Sequence, residues 1–159
     1  MKTNFLFPNV LKKPSLILLL LSFFGLVFVL NFNDDEAVQL QAKVFALMND
    51  QNLKGPFYFS WAKNNILDEL AMLLFIASGL VFAFSKEKTE DEMVAKIRVE
   101  SLVWATYFNY AVLAFCILFI YGLPFLNVMM YNMFTLLVFF IIRFHWMLYK
   151  STKFEPNEE

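Results

Sequence analysis

Four long, predominantly apolar stretches constrain this chain more than any other feature: Ser15 to Phe32, Ile66 to Phe84, Leu102 to Leu123 and Phe125 to Leu148. A helix rising ~1.5 Å per residue needs roughly 17 to 25 apolar residues to cross a bilayer core of about 30 Å, and each stretch is long enough. Strands of a membrane barrel would alternate apolar and polar residues over short segments, whereas these runs are continuous. The expected fold is therefore all-α, a four-helix transmembrane bundle. Composition agrees, with 60% hydrophobic and 17% charged residues, where soluble domains carry about 45 to 50% and 25%. That excludes disorder and a water-soluble globule. The 159 residues suit one domain, read here as a single four-span membrane domain over residues 1–159. A net charge of -1 leaves no basic surplus for a nucleic-acid partner, and one cysteine excludes an internal disulfide framework or a Cys-rich metal site.

The first stretch follows Lys12 and Lys13 and precedes Asp34, Asp35 and Glu36. A signal peptide also begins basic and then turns apolar, but its core is usually ~7 to 15 residues and ends at a small-residue cleavage site. This core is longer and no such site follows it, so a retained anchor is expected. Gly122, Leu123 and Pro124 separate the last two stretches, a glycine that permits a turn beside a proline that breaks a helix. They predict a tight antiparallel hairpin. Lysine and arginine accumulate on the cytoplasmic side of membrane proteins. With the N-terminus inside, the inner segments hold Lys2, Lys12, Lys13, Lys86, Lys88, Lys96, Arg98, Lys150 and Lys153, and the outer loop holds Lys43, Lys54 and Lys63. The expected topology is N-in and C-in, in the inner (plasma) membrane, with residues 33–65 outside, 85–101 inside and a cytoplasmic tail at 149–159.

The outer loop divides in two. Asn33 or Asp34 can cap an amphipathic helix whose apolar residues Ala37, Leu40, Val44, Leu47 and Met48 recur at helical spacing. Such a helix would lid the outer end of the bundle, or else lie in the interface or dock a partner. Gly55 and Pro56 then introduce Phe57, Tyr58, Phe59 and Trp61, an aromatic cluster suited to the headgroup layer. In the inner loop, Thr89 and Glu92 have capping-box spacing, and Glu92 and Lys96 stand four apart in the favourable order. They predict a helix from about Glu90 running without a break into the third span. Its charged segment, Thr89 to Glu100, is either a solvated face or a docking surface for another protein.

The run Ser85 to Ala105 (SKEKTEDEMVAKIRVESLVWA), with FIYG at Phe119 to Gly122 and FFIIRFH at Phe139 to His145, resembles a group of small four-span bacterial integral membrane proteins. The resemblance covers about the last half of the chain and implies the same architecture, with no activity attached. Arg98, Ala105 and Asn109 are also faintly similar to part of a four-span, glutathione-using membrane family. The further charged residues of such a site are missing here.

Polar groups in hydrocarbon are costly, so their positions are the nearest approach to a functional signal. Asp68 and Glu69, at the outer end of the second span, could contact a cation, although acids at a helix start, with Asn65 as cap, suit the helix dipole equally. Ser78, Asn109, Asn132 and Thr135 fall near mid-membrane, where hydrogen bonds of ~0.6 kcal/mol each commonly join helices. Glu100, Arg143 and His145 reach the inner boundary together. They imply an ion pair that fixes the hairpin register, or a contact for a lipid phosphate or other anion. No catalytic, cofactor-binding or metal constellation is recognisable, since His145 and Cys116 are each unique and no P-loop, G-x-S-x-G or H-E-x-x-H occurs. The expected function is non-enzymatic: an accessory, scaffold or signalling-adaptor subunit acting in the bilayer through other proteins or further copies of itself. The alternative is a small transporter or lipid- or anion-binding protein using Arg143 and Glu100. The topology has a direct check. With Cys116 replaced, a cysteine at Gln51 should react with a membrane-impermeant thiol reagent in intact cells and one at Thr89 should not; the reverse pattern refutes the orientation.

Overall fold

The chain is described by a computed structural model, which defines residues 5–32, 40–49 and 57–154. Its order is a 3-10 turn at Asn9–Leu11, helix α1 at Lys12–Phe32, strands β1 at Gln41–Asn49 and β2 at Phe57–Asn65, then helices α2 at Leu67–Ala83, α3 at Glu92–Phe119 and α4 at Leu123–Phe154. Among the described residues, α1, α3 and α4 are long and apolar enough to cross a membrane. Two compact units emerge, one of Met1–Ile17 with Ile76–Glu159, the other of Leu18–Phe75.

In the first unit α3 and α4 form an antiparallel hairpin. Phe108 stacks on Phe139 with ring centroids 4.2 Å apart, Arg143 lies 4.9 Å over the Trp104 ring, and Arg98 lies 5.1 Å over the Phe144 ring, so one helix ascends as the other descends. The turn depends on Gly122, whose φ of 75° is open to glycine at little steric cost. The Phe125 amide then donates to the Gly122 carbonyl at 3.1 Å. Pro124 does not break the chain as the sequence suggested. It occupies the first turn of α4, where a missing amide hydrogen costs nothing, and α3 has already ended at Phe119. The core joins Ala83 of α2, Val94, Ile97 and Ala105 of α3, and Leu137, Phe140 and Phe144 of α4. On α3 those positions, with the buried Ser101 between them, recur every three or four residues, the spacing of a single helical face.

The second unit corrects the all-α expectation. Residues 41–49, assigned above to an outer amphipathic helix, form a strand paired antiparallel with 57–65, with Val44 opposite Ala62 and Phe45 opposite Trp61. Residues 33–39 of that helix lie outside the described residues. The apolar spacing was ambiguous, because Val44 and Met48 fit both a helical period and a period of two. Pairing resolved it: Ala42, Val44 and Ala46 are half-buried on one face while Lys43, Phe45 and Leu47 are exposed on the other. Of the aromatic cluster, Phe59 and Trp61 lie near Phe45 on this exposed face, Phe45 meeting Trp61 at 5.5 Å and Phe59 at 6.4 Å, while Tyr58 pairs with Met48. Phe59 adopts φ 53°, a left-handed conformation unusual for a bulky side chain, at the place where the register passes over Leu47. Asn65 joins the hairpin to α2, its Oδ1 accepting from the Leu40 amide at 3.0 Å and the Leu67 amide at 3.4 Å. Phe23 of α1 packs against Phe75 of α2 in this unit, at 6.3 Å.

Helix α3 runs unbroken from the charged segment into the apolar one, as its sequence implies. Its cap differs, however. Asp91 accepts the Val94 amide at 2.7 Å, and the helix begins at Glu92, so the Thr89 and Glu92 capping box does not form. An aspartate at the N-cap satisfies an otherwise orphaned donor and opposes the helix dipole. Asp91→Ala should therefore loosen the first turn by ~1 kcal/mol, whereas Thr89→Ala should leave it nearly unchanged. Amide exchange across residues 92–98 in the two variants distinguishes them.

Candidate functional site at the polar end of the first unit

The polar end of the first unit is built around Arg98. Its place on α3 follows from helical spacing, since Val94, Ile97 and Ser101 occupy the buried face and Arg98 falls among them, 7% exposed. A guanidinium so buried needs compensation, because a charge removed from water is costly unless paired and hydrogen-bonded. The linker between α2 and α3 supplies it by folding back over the start of α3. Arg98 Nη1 donates to Glu90 Oε1 at 2.5 Å and Nη2 to Glu90 Oε2 at 3.2 Å, the two-pronged geometry that favours arginine with a carboxylate. Nη2 also lies 3.5 Å from the Ser85 carbonyl, and the Phe144 ring covers the guanidinium. Burial raises the Glu90 carboxyl's pKa, but the hydrogen bond from Arg98, that from the Glu87 amide at 2.9 Å and the charges of Arg98 and Lys86 outweigh it. The net effect is a pKa below the ordinary glutamate value.

The chain ahead of α1 is tied to the same linker. The Phe7 amide donates to the Phe84 carbonyl and the Lys86 amide to the Phe7 carbonyl, each at 2.9 Å, making a short parallel bridge between Phe7 and Ser85. Asn9 Nδ2 donates to the Lys86 carbonyl at 2.6 Å. Lys12, in the first turn of α1, forms an ion pair with Glu87. Four parts of the chain thus converge: the N-terminal strap, the linker, the start of α3 and the end of α4. Between them lies a cavity of about 630 Å³ reached by Lys12, Lys13, Lys88 and Thr89 on its polar side and by Val94 and Leu148 on its apolar side. That volume suits a small-molecule or headgroup-sized ligand.

The residues proposed from sequence are distributed differently. Glu100 is exposed on α3 and makes no ion pair with Arg143. The hairpin register sets Trp104, one turn further along α3, opposite Arg143, which therefore rests on an indole face instead of a carboxylate. His145 turns away to stack on Phe82, 4.9 Å away with the ring planes nearly parallel, its Nδ1 donating to the Ile141 carbonyl at 2.9 Å. The three do not form one site. Thr135 donates within its own helix, to the Tyr131 carbonyl at 3.3 Å. Asn109 Oδ1 and Asn132 Nδ2 are buried without a partner among the described residues, and Ser78 is buried and engaged. The interhelical polar network expected of Asn109, Asn132 and Thr135 is not formed among the described residues. Asp68 and Glu69 both lie in the first turn of α2, Glu69 Oε1 accepting from Asn64 Nδ2 at 2.6 Å, as acids at a helix start would.

The sequence pairs neither Glu90 with Arg98 nor Lys12 with Glu87. Their separations of 8 and 75 positions match no local pairing rule. One signal was nonetheless present: Arg98 falls on the apolar stripe of its own helix, which demands a partner. No protein-family model, curated protein or solved structure matches the chain, so geometry alone must carry the functional reading.

The pair makes stability depend on pH. Glu90's pKa is lower folded than unfolded, so its contribution is full above the ordinary glutamate value of 4.5 and is lost as pH falls through the lowered folded value. Wild-type protein should lose melting temperature on acidification below about 4.5 more steeply than Glu90→Gln. Near neutral pH, Glu90→Ala should cost ~3 kcal/mol by stranding a buried arginine. Thermal unfolding in detergent across that range measures both effects.

Proposed function

We propose that this chain is a multi-pass protein of the cell inner membrane, with four spans and both termini in the cytoplasm, that acts without catalysis as an accessory, scaffold or signalling-adaptor subunit. The observation that supports this most is the braced polar end of the first unit. Helices α3 and α4, of 28 and 32 residues, extend ~42 and ~48 Å, beyond the roughly 30 Å hydrocarbon core. Part of each therefore extends beyond the hydrocarbon core. On that part of α3, Glu92, Met93, Lys96, Val99 and Glu100 are exposed together, a mixed charged and apolar surface on a helix whose start is capped and whose buried face is pinned by Arg98. A surface already ordered in this way loses little conformational entropy on association.

The topology draws support from several directions. Asn9, Val10, Lys12 and Lys13 near one end of the chain and Ser151 and Thr152 near the other border the same cavity, as an even number of spans requires. The lysine-rich segments gather at that end, which favours the cytoplasmic side. Helix α2, with 17 residues, reaches ~26 Å and sits at the lower edge of spanning length.

A photo-crosslinker placed at Lys96 or Val99 should give one discrete adduct in native membranes, lost on charge reversal by Glu92→Lys with Lys96→Glu. An adduct of twice the chain's mass identifies a second copy as the partner, and any other mass identifies a different protein. Failure of every position across 92–100 to give a charge-sensitive adduct, in protein with an unchanged melting temperature, would sink the association reading.

A further inference from the structure

We propose that the cavity at the braced end binds a phosphate-bearing anion, with the headgroup of an anionic phospholipid as the source its lining suits best. Charge is the first argument. Three lysines border the cavity, Lys12, Lys13 and Lys88, against Glu87 and Asp91. Both acids are engaged: Glu87 is paired with Lys12, and Asp91 holds the Val94 amide as the α3 cap. Lys13 and Lys88 make no ion pair among the described residues. The cavity also faces the starts of two helices, α1 and α3, whose dipoles present positive ends, and one helix end, that of α4. There the Ser151 and Thr152 hydroxyls turn back onto their own helix, donating to the Leu148 carbonyl at 2.8 and 3.2 Å.

Position is the second argument. Leu148 ends the apolar run of α4 and Lys150 begins its polar tail, so the cavity sits at the level where hydrocarbon gives way to headgroups. Val10, Met93, Val94 and Leu148 line it beside the lysines. A wall that is apolar on one side and cationic on the other matches a glycerol backbone joined to a phosphate. Basic pockets between membrane helices on the cytoplasmic side take such headgroups, and that leaflet carries the anionic lipid. The inference rests on the membrane-spanning reading and is independent of association with a protein partner, so each can fail alone.

Native mass spectrometry of the full chain in a neutral detergent, titrated with phosphatidylglycerol, phosphatidylcholine or inorganic phosphate, tests it. Phosphatidylglycerol should bind well ahead of phosphatidylcholine. Lys13→Gln with Lys88→Gln should weaken it by roughly tenfold or more. Neither lysine takes part in a hydrogen bond or ion pair among the described residues, so that variant should keep the wild-type melting temperature. The matched pair Lys150→Gln with Lys153→Gln, outside the cavity lining, should leave binding unchanged. Inorganic phosphate that binds with the same dependence on Lys13 and Lys88 and displaces the lipid would uphold the site and name free phosphate as its ligand. Equal binding of the two lipids, or an equal loss in both lysine pairs, would overturn the proposal.

Discussion

The contact between Arg98 and Glu90 organises the first unit. A guanidinium on the buried face of α3 obliges the α2–α3 linker to fold back and deliver a carboxylate, and once folded the linker offers Ser85 to Arg98 and its own backbone to Phe7. The N-terminal strap is held by that backbone, Lys12 by Glu87 on the same linker, and the cavity by all of these together. The pair need not stabilise the fold relative to an apolar replacement, because desolvating two charges offsets much of their attraction. Its effect is specificity: other linker conformations leave Arg98 buried and uncompensated.

Aromatic packing supports this end from within the α3–α4 hairpin. Phe140 stacks on Phe84 at 5.4 Å and approaches Phe144 at 6.0 Å, and Phe144 in turn covers Arg98. The same column carries His145 onto Phe82. Hydroxyls along the helices bond to their own preceding turns, as Thr106 does to Leu102 and Thr135 to Tyr131, and so contribute little between helices. Among the described residues, cohesion in this unit comes from ring packing and from two ion pairs at one end, with few interhelical hydrogen bonds in the span.

The β-hairpin poses a different physical problem. Its half-buried positions carry small residues, Ala42, Val44, Ala46, Ser60 and Ala62, whereas its aromatic side chains, Phe45, Tyr58, Phe59 and Trp61, are exposed. That inverts the pattern of a hairpin in water, where the aromatic face would be covered. An exposed aromatic face suits the headgroup layer, where a ring is more favourably placed than in water. The element that presents these rings is a strand, where the sequence implied a turn followed by an aromatic cluster.

Sequence by itself determined the long apolar helices, the continuity of α3 through its charged start and the tight turn at Gly122, because each follows from local rules: hydrophobic run length, helical side-chain spacing and the conformational freedom of glycine; the cap of α3 fell to Asp91 instead of Thr89. It did not determine the structure of residues 41–49, whose apolar positions satisfy two periods; cross-strand pairing with 57–65 chose between them. Nor did it settle the partners of the charged residues. Arg143 and Glu100 were matched by counting depth along an antiparallel pair, and a register one turn different was enough to give Arg143 a tryptophan instead. Arg98 met Glu90, and Lys12 met Glu87, only because a linker folded back over a helix start. Backbone preference is local and is written residue by residue. Charge pairing depends on which surfaces the packed helices bring within a few ångströms, and that distance exists only in the tertiary structure.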